Sequence, residues 1–404
     1  MKWMWTGVWI ALALCVGPLR ARAQLDPQRR DLLQLGYNQP LEGRGPISGY
    51  AFYYMSRPEF HGSNGTLRLA IAPTYLDAEF GRRRALGEHT DLGFGVAGGG
   101  FADTYSEVRQ GKLLREESFT GHGGEISASL YHLFNPSSRI PLNAVLRSSY
   151  HYSTYQRDNL TDPAFRLPHD QGILHVRGGL RWGGQEPVMF PEMAMELSAW
   201  YESQIRGNAG SYGFGGDRQL EPVSHLLWTR ALLAYTLPEC RHYFSIGATL
   251  GTTIHPDRLS SFRLGGALPL VAEFPLSIPG YYFQELTARR FFLMNGTYGV
   301  PVDRGGHCEL MAFGSTGVMS HFSNFPQPGG WQSGVGSAVV LRPGKKAWQI
   351  ALGYGYGVDA IRDGHRGAHS IGLLLQYDIQ QGGALLPERF NPTKWRGLDQ
   401  IFGR

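Results

Sequence analysis

The stretch "AWQIALGYGYGV" (347–358) splits into two unlike lists when read by alternate positions. Trp348, Ile350, Leu352, Tyr354, Tyr356 and Val358 fall on one side, and Ala347, Gln349, Ala351, Gly353, Gly355 and Gly357 on the other. Successive side chains of a strand point to opposite faces of its sheet, so period two held this long marks a strand with one bulky apolar face and one small face. The pattern recurs. "GTLRLAIAPTY" sets Leu67, Leu69 and Ile71 against Arg68, Ala70 and Ala72. "GILHVRGGLRWGG" sets Leu174, Val176, Leu180 and Trp182 against His175, Arg177, Gly179 and Arg181. "EMAMELSAWYES" sets Met193, Met195, Leu197, Ala199 and Tyr201 against Glu196, Ser198 and Trp200.

Fourteen such segments can be counted, at about 47–60, 65–80, 91–107, 115–134, 142–157, 172–184, 193–205, 224–237, 242–255, 284–302, 307–321, 330–342, 347–360 and 368–380. Most exceed the roughly 5–6 residues usual for strands of soluble sheets and reach the ~9–11 that a tilted membrane-crossing strand needs. Their connections alternate in length. "NPSSRIP", "LPECRH", "VDRGGH" and "RPGKKA" are short, whereas "RDNLTDPAFRLPHDQ", "RGNAGSYGFGGDRQLEP" and the segment after His255 are long. Short turns at one end and long loops at the other are the habit of outer-membrane barrels. "GRRRALGEHT" is the longest connection on the short side.

Composition separates the two folds this pattern permits. A β-sandwich exported in solution would also have an apolar face, but its polar face would be rich in Lys, Glu and Thr. Here the face opposite the aromatics is Gly, Ala and Ser, with 55 glycines in the chain and only 18% charged residues. Few charges and 12% aromatics also argue against disorder, and so much glycine against helices. Tyr50, Tyr75, Trp182, Tyr201, Trp331, Trp348 and Tyr377 lie near strand ends, as interface girdles require. The expected fold is therefore all-β: a closed antiparallel transmembrane β-barrel.

The chain opens with "MKWMWTGVWIALALCVGPLRARAQ", in which Lys2, the apolar run Trp3 to Val16 and the small residues of "ARA" read as a secretory signal over 1–23. The run is shorter than the ~20 residues of a spanning helix. Leu14 before Cys15 is too large for a lipoprotein signal. Removing Lys2, Arg20 and Arg22 leaves 35 basic residues against 33 acidic, with no basic stripe for a nucleic-acid partner. Residues 24–46 form a short N-terminal segment on the periplasmic side, where Asp26 as N-cap and Pro27 at the first position predict a short helix. The barrel is expected over 47–380. The tail 381–404 mixes Phe390, Trp395 and Phe402 with Arg389, Lys394 and Arg396 and suits an interfacial or barrel-plugging role or a loose terminus.

Catalytic and metal chemistry find little support. Ser118, His122 and Glu125 in "SFTGHGGEIS" lie near one another, but nothing in their spacing supplies the base and orienting group that a nucleophile needs. "VAGGG" (96–100) precedes no helix and is no phosphate loop. Cys240 and Cys308 sit near two tight connections with strands between them, which disfavours a disulfide, and no histidine cluster joins them at zinc spacing. No enzyme activity and no cofactor are expected.

Residues 262–302, "FRLGGALPLVAEFPLSIPGYYFQELTARRFFLMNGTYGVPV", resemble the C-terminal barrel of the BamA/TamA-type bacterial surface antigen family. Phe262, Leu264, Gly265, Gly266, Gly280, Tyr281 and Pro301 stand where that family has an aromatic-x-"LGG" loop opening, an Arg-Gly-aromatic tip and a strand ending in proline. Phe313, Ser315 and Gly317 are similar to its F-x-D-x-G strand. Ser370, Gly372, Leu375 and Tyr377 are similar to the final-strand signal read by the assembly machinery. The resemblance implies sixteen strands, a loop folded into the lumen, an outer-membrane location in a Gram-negative-type bacterium, and a role in membrane protein insertion, translocation or lipid handling. The implied partners are outer-membrane lipids, the assembly machinery, and other outer-membrane or periplasmic proteins. A passive or substrate-specific pore and an outer-membrane phospholipase are the alternatives.

Several features depart from the family. Pro279 replaces the tip arginine and Ser315 its aspartate partner, so both halves of a buried ion pair are lost together. Segment 24–46 is too short for a POTRA domain, and the final strand is not the chain end. Two further strands would have to lie in 28–46 or 105–120 to complete sixteen.

Overall fold

A computed structural model describes residues 28–185, 187–266, 274–322, 325, 327–343 and 347–382. The expected signal segment 1–23 and most of the tail 381–404 lie outside these residues.

Sixteen antiparallel strands form the wall: Arg30–Pro40, Gly49–Pro58, Gly65–Ala72, Tyr75–Arg82, Thr90–Gly99, Lys112–Leu133, Leu142–Arg157, Gln171–Gly184, Met193–Arg206, Val223–Thr236, Tyr243–Ile254, Arg290–Pro301, Cys308–Ser320, Trp331–Leu341, Trp348–Arg362 and His365–Asp378. Each pairs with its sequence neighbour, and the first pairs with the last in a register running from Leu32 opposite Asp378 to Pro40 opposite Ser370. That seam closes the cylinder and removes both sheet edges. No described helix is long and apolar enough to cross a membrane.

The strand count exceeds the fourteen segments seen in the sequence for two local reasons. The helix expected after Asp26 is instead the strand Arg30–Pro40, which moves the start of the barrel from 47 back to Arg30. The segment 65–80 is two strands of eight residues joined by Pro73 and Thr74. Residues 105–109 are also a strand, but they pair with 112–119 as a hairpin standing above the wall.

The bulky rows face outward and carry no second layer of protein. Leu352 is 54% exposed, Val335 53%, Leu146 53% and Ile126 62%, values that a sandwich core could not show. Placed in hydrocarbon, each such side chain contributes roughly 1.5–3 kcal/mol. Tyr75, Trp182, Tyr201 and Trp331 face outward near the rims. Tyr377 is covered by Trp348, their ring centroids 4.4 Å apart. Tyr50 departs from the girdle. It shares a face with Gly36, whose missing side chain makes room for its ring, and both turn inward.

Leu352 lies opposite Val339 and Leu373 on this outer face. Leu352→Arg is expected to cost about 2–4 kcal/mol. The check is the fraction of barrel that folds into lipid vesicles, measured by heat-modifiable gel mobility, with Leu352→Val unchanged.

Candidate functional site

The long connection between Ile254 and Arg290 turns back into the lumen. Its two arms pair through Phe262–Leu264 and Leu286–Ala288, and Leu264, Ile278, Tyr281, Tyr282 and Leu286 are fully buried. Gly265 and Gly266 lie so close to the returning arm that a Cβ on either would strike the Tyr282 or Tyr281 carbonyl. Phe262 packs edge-on against Phe291 of the wall, with ring centroids 5.0 Å apart.

The tip Pro279-Gly280-Tyr281 rests on the small face of the wall. A Cβ on Gly355 would stand 3.0 Å from the Gly280 nitrogen, and one on Gly334 would overlap the Pro279 carbonyl. Gly280 itself has φ +82° and faces the backbone of Gly357, so both its conformation and its neighbour exclude a side chain. Tyr281 donates a hydrogen bond to Gln332 Oε1 at 2.6 Å. The bare face noted at 353–357 is thus, at Gly355 and Gly357, the socket of this loop. Gly353 makes only ordinary contact with Ala338.

Ser315 faces inward opposite Gly334. Asn295 links it to the loop, donating from Nδ2 to Ser315 Oγ at 3.0 Å and to the Ser277 carbonyl at 3.2 Å. Phe313 lies over Gly336, and Gly317 sits against the backbone of Phe292. A different ion pair anchors the loop. Arg362, from the wall, donates to both carboxylate oxygens of Glu285 at 2.8 Å and stacks 3.6 Å from the Tyr282 ring centroid. Both members are at least 97% buried. Neither residue belongs to the motif read from the sequence. By alternation Arg362 falls with Trp348 and Val358 on the bulky face, and a register shift between Gly357 and Ile361 turns it inward, so its spacing gave no signal.

The lumen also holds large apolar groups, contrary to the small face seen in the sequence. Trp200 and Trp228 stack at 6.1 Å, and Phe274 of the loop packs against both. Arg177 and Arg181 lie over these indoles. A cavity of about 180 Å³ remains there, lined by Arg177, Glu202, Trp228, Thr249, Phe262 and Phe291 among others. The inner wall is also polar, with His175 and Arg177 on Glu202 at 3.1 and 2.7 Å beside this cavity and Arg147 on Glu125 at 2.8 Å.

The rim of long loops is roofed. The hairpin 105–119 reaches across to the far wall, where Gly111 touches Ile361 and Gln110 donates to the Gln327 carbonyl at 3.0 Å. Glu107, fully buried, collects Arg109 at 2.9 Å, Arg258 at 3.0 Å and Arg218 at 3.4 Å. Asp103 anchors the hairpin base on His151 at 2.8 Å. Burial opposes its ionisation, but hydrogen bonds from His151 and Ser153 outweigh this and hold its carboxyl below the usual range.

Ser118, His122 and Glu125 do not act on one another. Ser118 Oγ donates to the Leu114 carbonyl and accepts from the Glu107 amide, His122 takes the Phe101 amide, and Glu125 binds Arg147. Cys240 and Cys308 are both free. In the last strand Ser370 and Gly372 face the lumen, while Leu375 and Tyr377 face outward at the seam. No cluster that could hold a metal ion occurs among the described residues.

A closed sixteen-stranded barrel with an apolar exterior and a loop seated in its lumen has the fold of the surface-antigen outer-membrane barrels. No family model and no curated protein matches the chain. Solved structures do. CdiB from Acinetobacter baumannii aligns with a TM-score of 0.56 at 10% identity, over 87% of this chain and 60% of that one. CdiB from Escherichia coli gives 0.56 at 10% identity, over 85% and 63%. BamA from Haemophilus ducreyi lacking POTRA domains 1–3 gives 0.52 at 8% identity, over 86% and 70%. At such identities the likeness is one of fold, and the chain spans less than two thirds of either CdiB. The described residues include no POTRA-like domain.

Replacing one member of the Arg362–Glu285 pair strands a buried charge, at about 3–5 kcal/mol, whereas replacing both with apolar groups can be nearly neutral. Arg362→Met and Glu285→Leu should each lower the thermal midpoint in detergent, and the double variant should recover most of the loss.

Proposed function

We propose that this chain is a non-enzymatic outer-membrane barrel that acts on polypeptide or lipid at the membrane rather than passing solutes through an open channel. The observation that carries this reading is the loop tip 279–281 seated on a socket of glycines. A diffusion pore needs an aqueous path, and here a loop with its own apolar core and a buried ion pair occupies that path. The roof over the long-loop rim adds a second obstruction. Insertion, translocation or lipid handling, the activities implied by the resemblance to the surface-antigen family, are compatible with a barrel occupied at rest. The outer-membrane location, the lipid and assembly-machinery partners and the motif roles of Phe262, Leu264, Gly265, Gly266, Gly280 and Tyr281 belong to the same proposal. So do those of Phe313, Ser315 and Gly317.

Planar-bilayer recording separates the two readings. The intact barrel should insert and stay quiet, while Gly280→Val, which cannot seat its tip, should show frequent large openings. Steady, large conductance from the unaltered protein would establish a pore instead. Lipid hydrolysis that disappears in Ser118→Ala would establish the phospholipase. Delivery is tested at the last strand: Gly372→Asp and Tyr377→Ala should each lower the amount of barrel recovered in the outer membrane several-fold.

A further inference from the structure

The turn between strands 171–184 and 193–206 does not stay at its rim. It joins the eighth and ninth strands of the wall, half a circumference from the seam between the sixteenth and the first. Yet its backbone reaches that seam. Gln34 of the first strand donates from Nε2 to Gln376 Oε1 of the last at 2.8 Å and to the Pro187 carbonyl at 3.2 Å. Gln376 Oε1 also accepts from the Met189 amide at 3.2 Å. Both hydrogens of one buried amide and both lone pairs of its partner oxygen are therefore used, and two of these bonds come from the turn.

The span is held by apolar packing along the way. Met189 is 9% exposed and belongs to one apolar cluster with Ala194, Ala234, Tyr243, Met311 and Val340, which lie on the ninth to fourteenth strands, the half of the wall between the turn and the last strand. Phe190 adds an edge-on contact with Tyr243 at 6.2 Å and lies under the Arg342 guanidinium at 5.8 Å.

We propose that residues 187–190 are an internal strap that clamps the seam. The first and last strands are joined by no turn near this rim, so side chains and the strap supply the local restraint that a covalent turn supplies elsewhere. Separation of the seam on this side then requires the strap to leave Gln34 and Gln376, which couples the seam to the contents of the lumen. The inference uses the closed barrel alone and stands whether or not the chain acts on polypeptides.

Amide hydrogen exchange of the full chain in detergent micelles tests it. Met189→Gly combined with Phe190→Gly removes the apolar hold. Gln376→Leu keeps that hold and removes the acceptor. In both, amides of 30–40 and 370–378 should exchange at least tenfold faster, while those of 142–157 stay unchanged. If the Gln376→Leu barrel folds and its seam exchanges at the original rate, or if every strand accelerates equally, the strap does not clamp the seam.

Discussion

Backbone amides and carbonyls in hydrocarbon have no water to bond, so a sheet that enters a membrane must end by pairing with its own beginning. In this chain that requirement falls on the contact between Leu32–Pro40 and Ser370–Asp378. Everything else follows from the cylinder that this contact completes. The outer surface must be apolar, which the exposed Leu, Val, Phe and Tyr rows provide. The inner surface encloses a space that side chains of one wall cannot fill. The chain fills it with a loop from one rim, a turn from the other, and ion pairs between.

The barrel was legible because a period of two survives any local choice of residue, and because the membrane forbids charge on one face. The first strand was hidden for a definite reason. Leu32 and Leu33 are adjacent, and the apolar positions 32, 33 and 35 resemble a helical stripe behind a plausible Asp26-Pro27 cap. In the structure Leu32 faces inward and Leu33 outward, so both are apolar for different reasons. The hairpin 65–82 was hidden because a turn as short as Pro73-Thr74 barely interrupts the alternation.

The occupied lumen was legible only in part. Gly265, Gly266 and Gly280 pointed to a tightly folded loop, and the small face at 353–357 pointed to something lodged against it. Contacts between residues 77 to 187 positions apart could not be read from spacing. They include Arg362 with Glu285 and Met189 with Gln376. Trp200 was visible as a misfit on a polar face, and its partners Trp228 and Phe274 come from a neighbouring strand and the inserted loop.

The tip 279–281 carries no charged residue, so it leaves no stranded ion against the wall. Shape then carries the tip: Pro279, Gly280 and Tyr281 fit between Gly334, Gly355 and Gly357. Charge fixes the base of the returning arm, where Glu285 on the loop meets Arg362 on the wall. Gly111 at the tip of the hairpin 105–119 lies directly against Ile361 and Arg362, so the same guanidinium that holds Glu285 and accepts the Tyr282 ring also floors the roof.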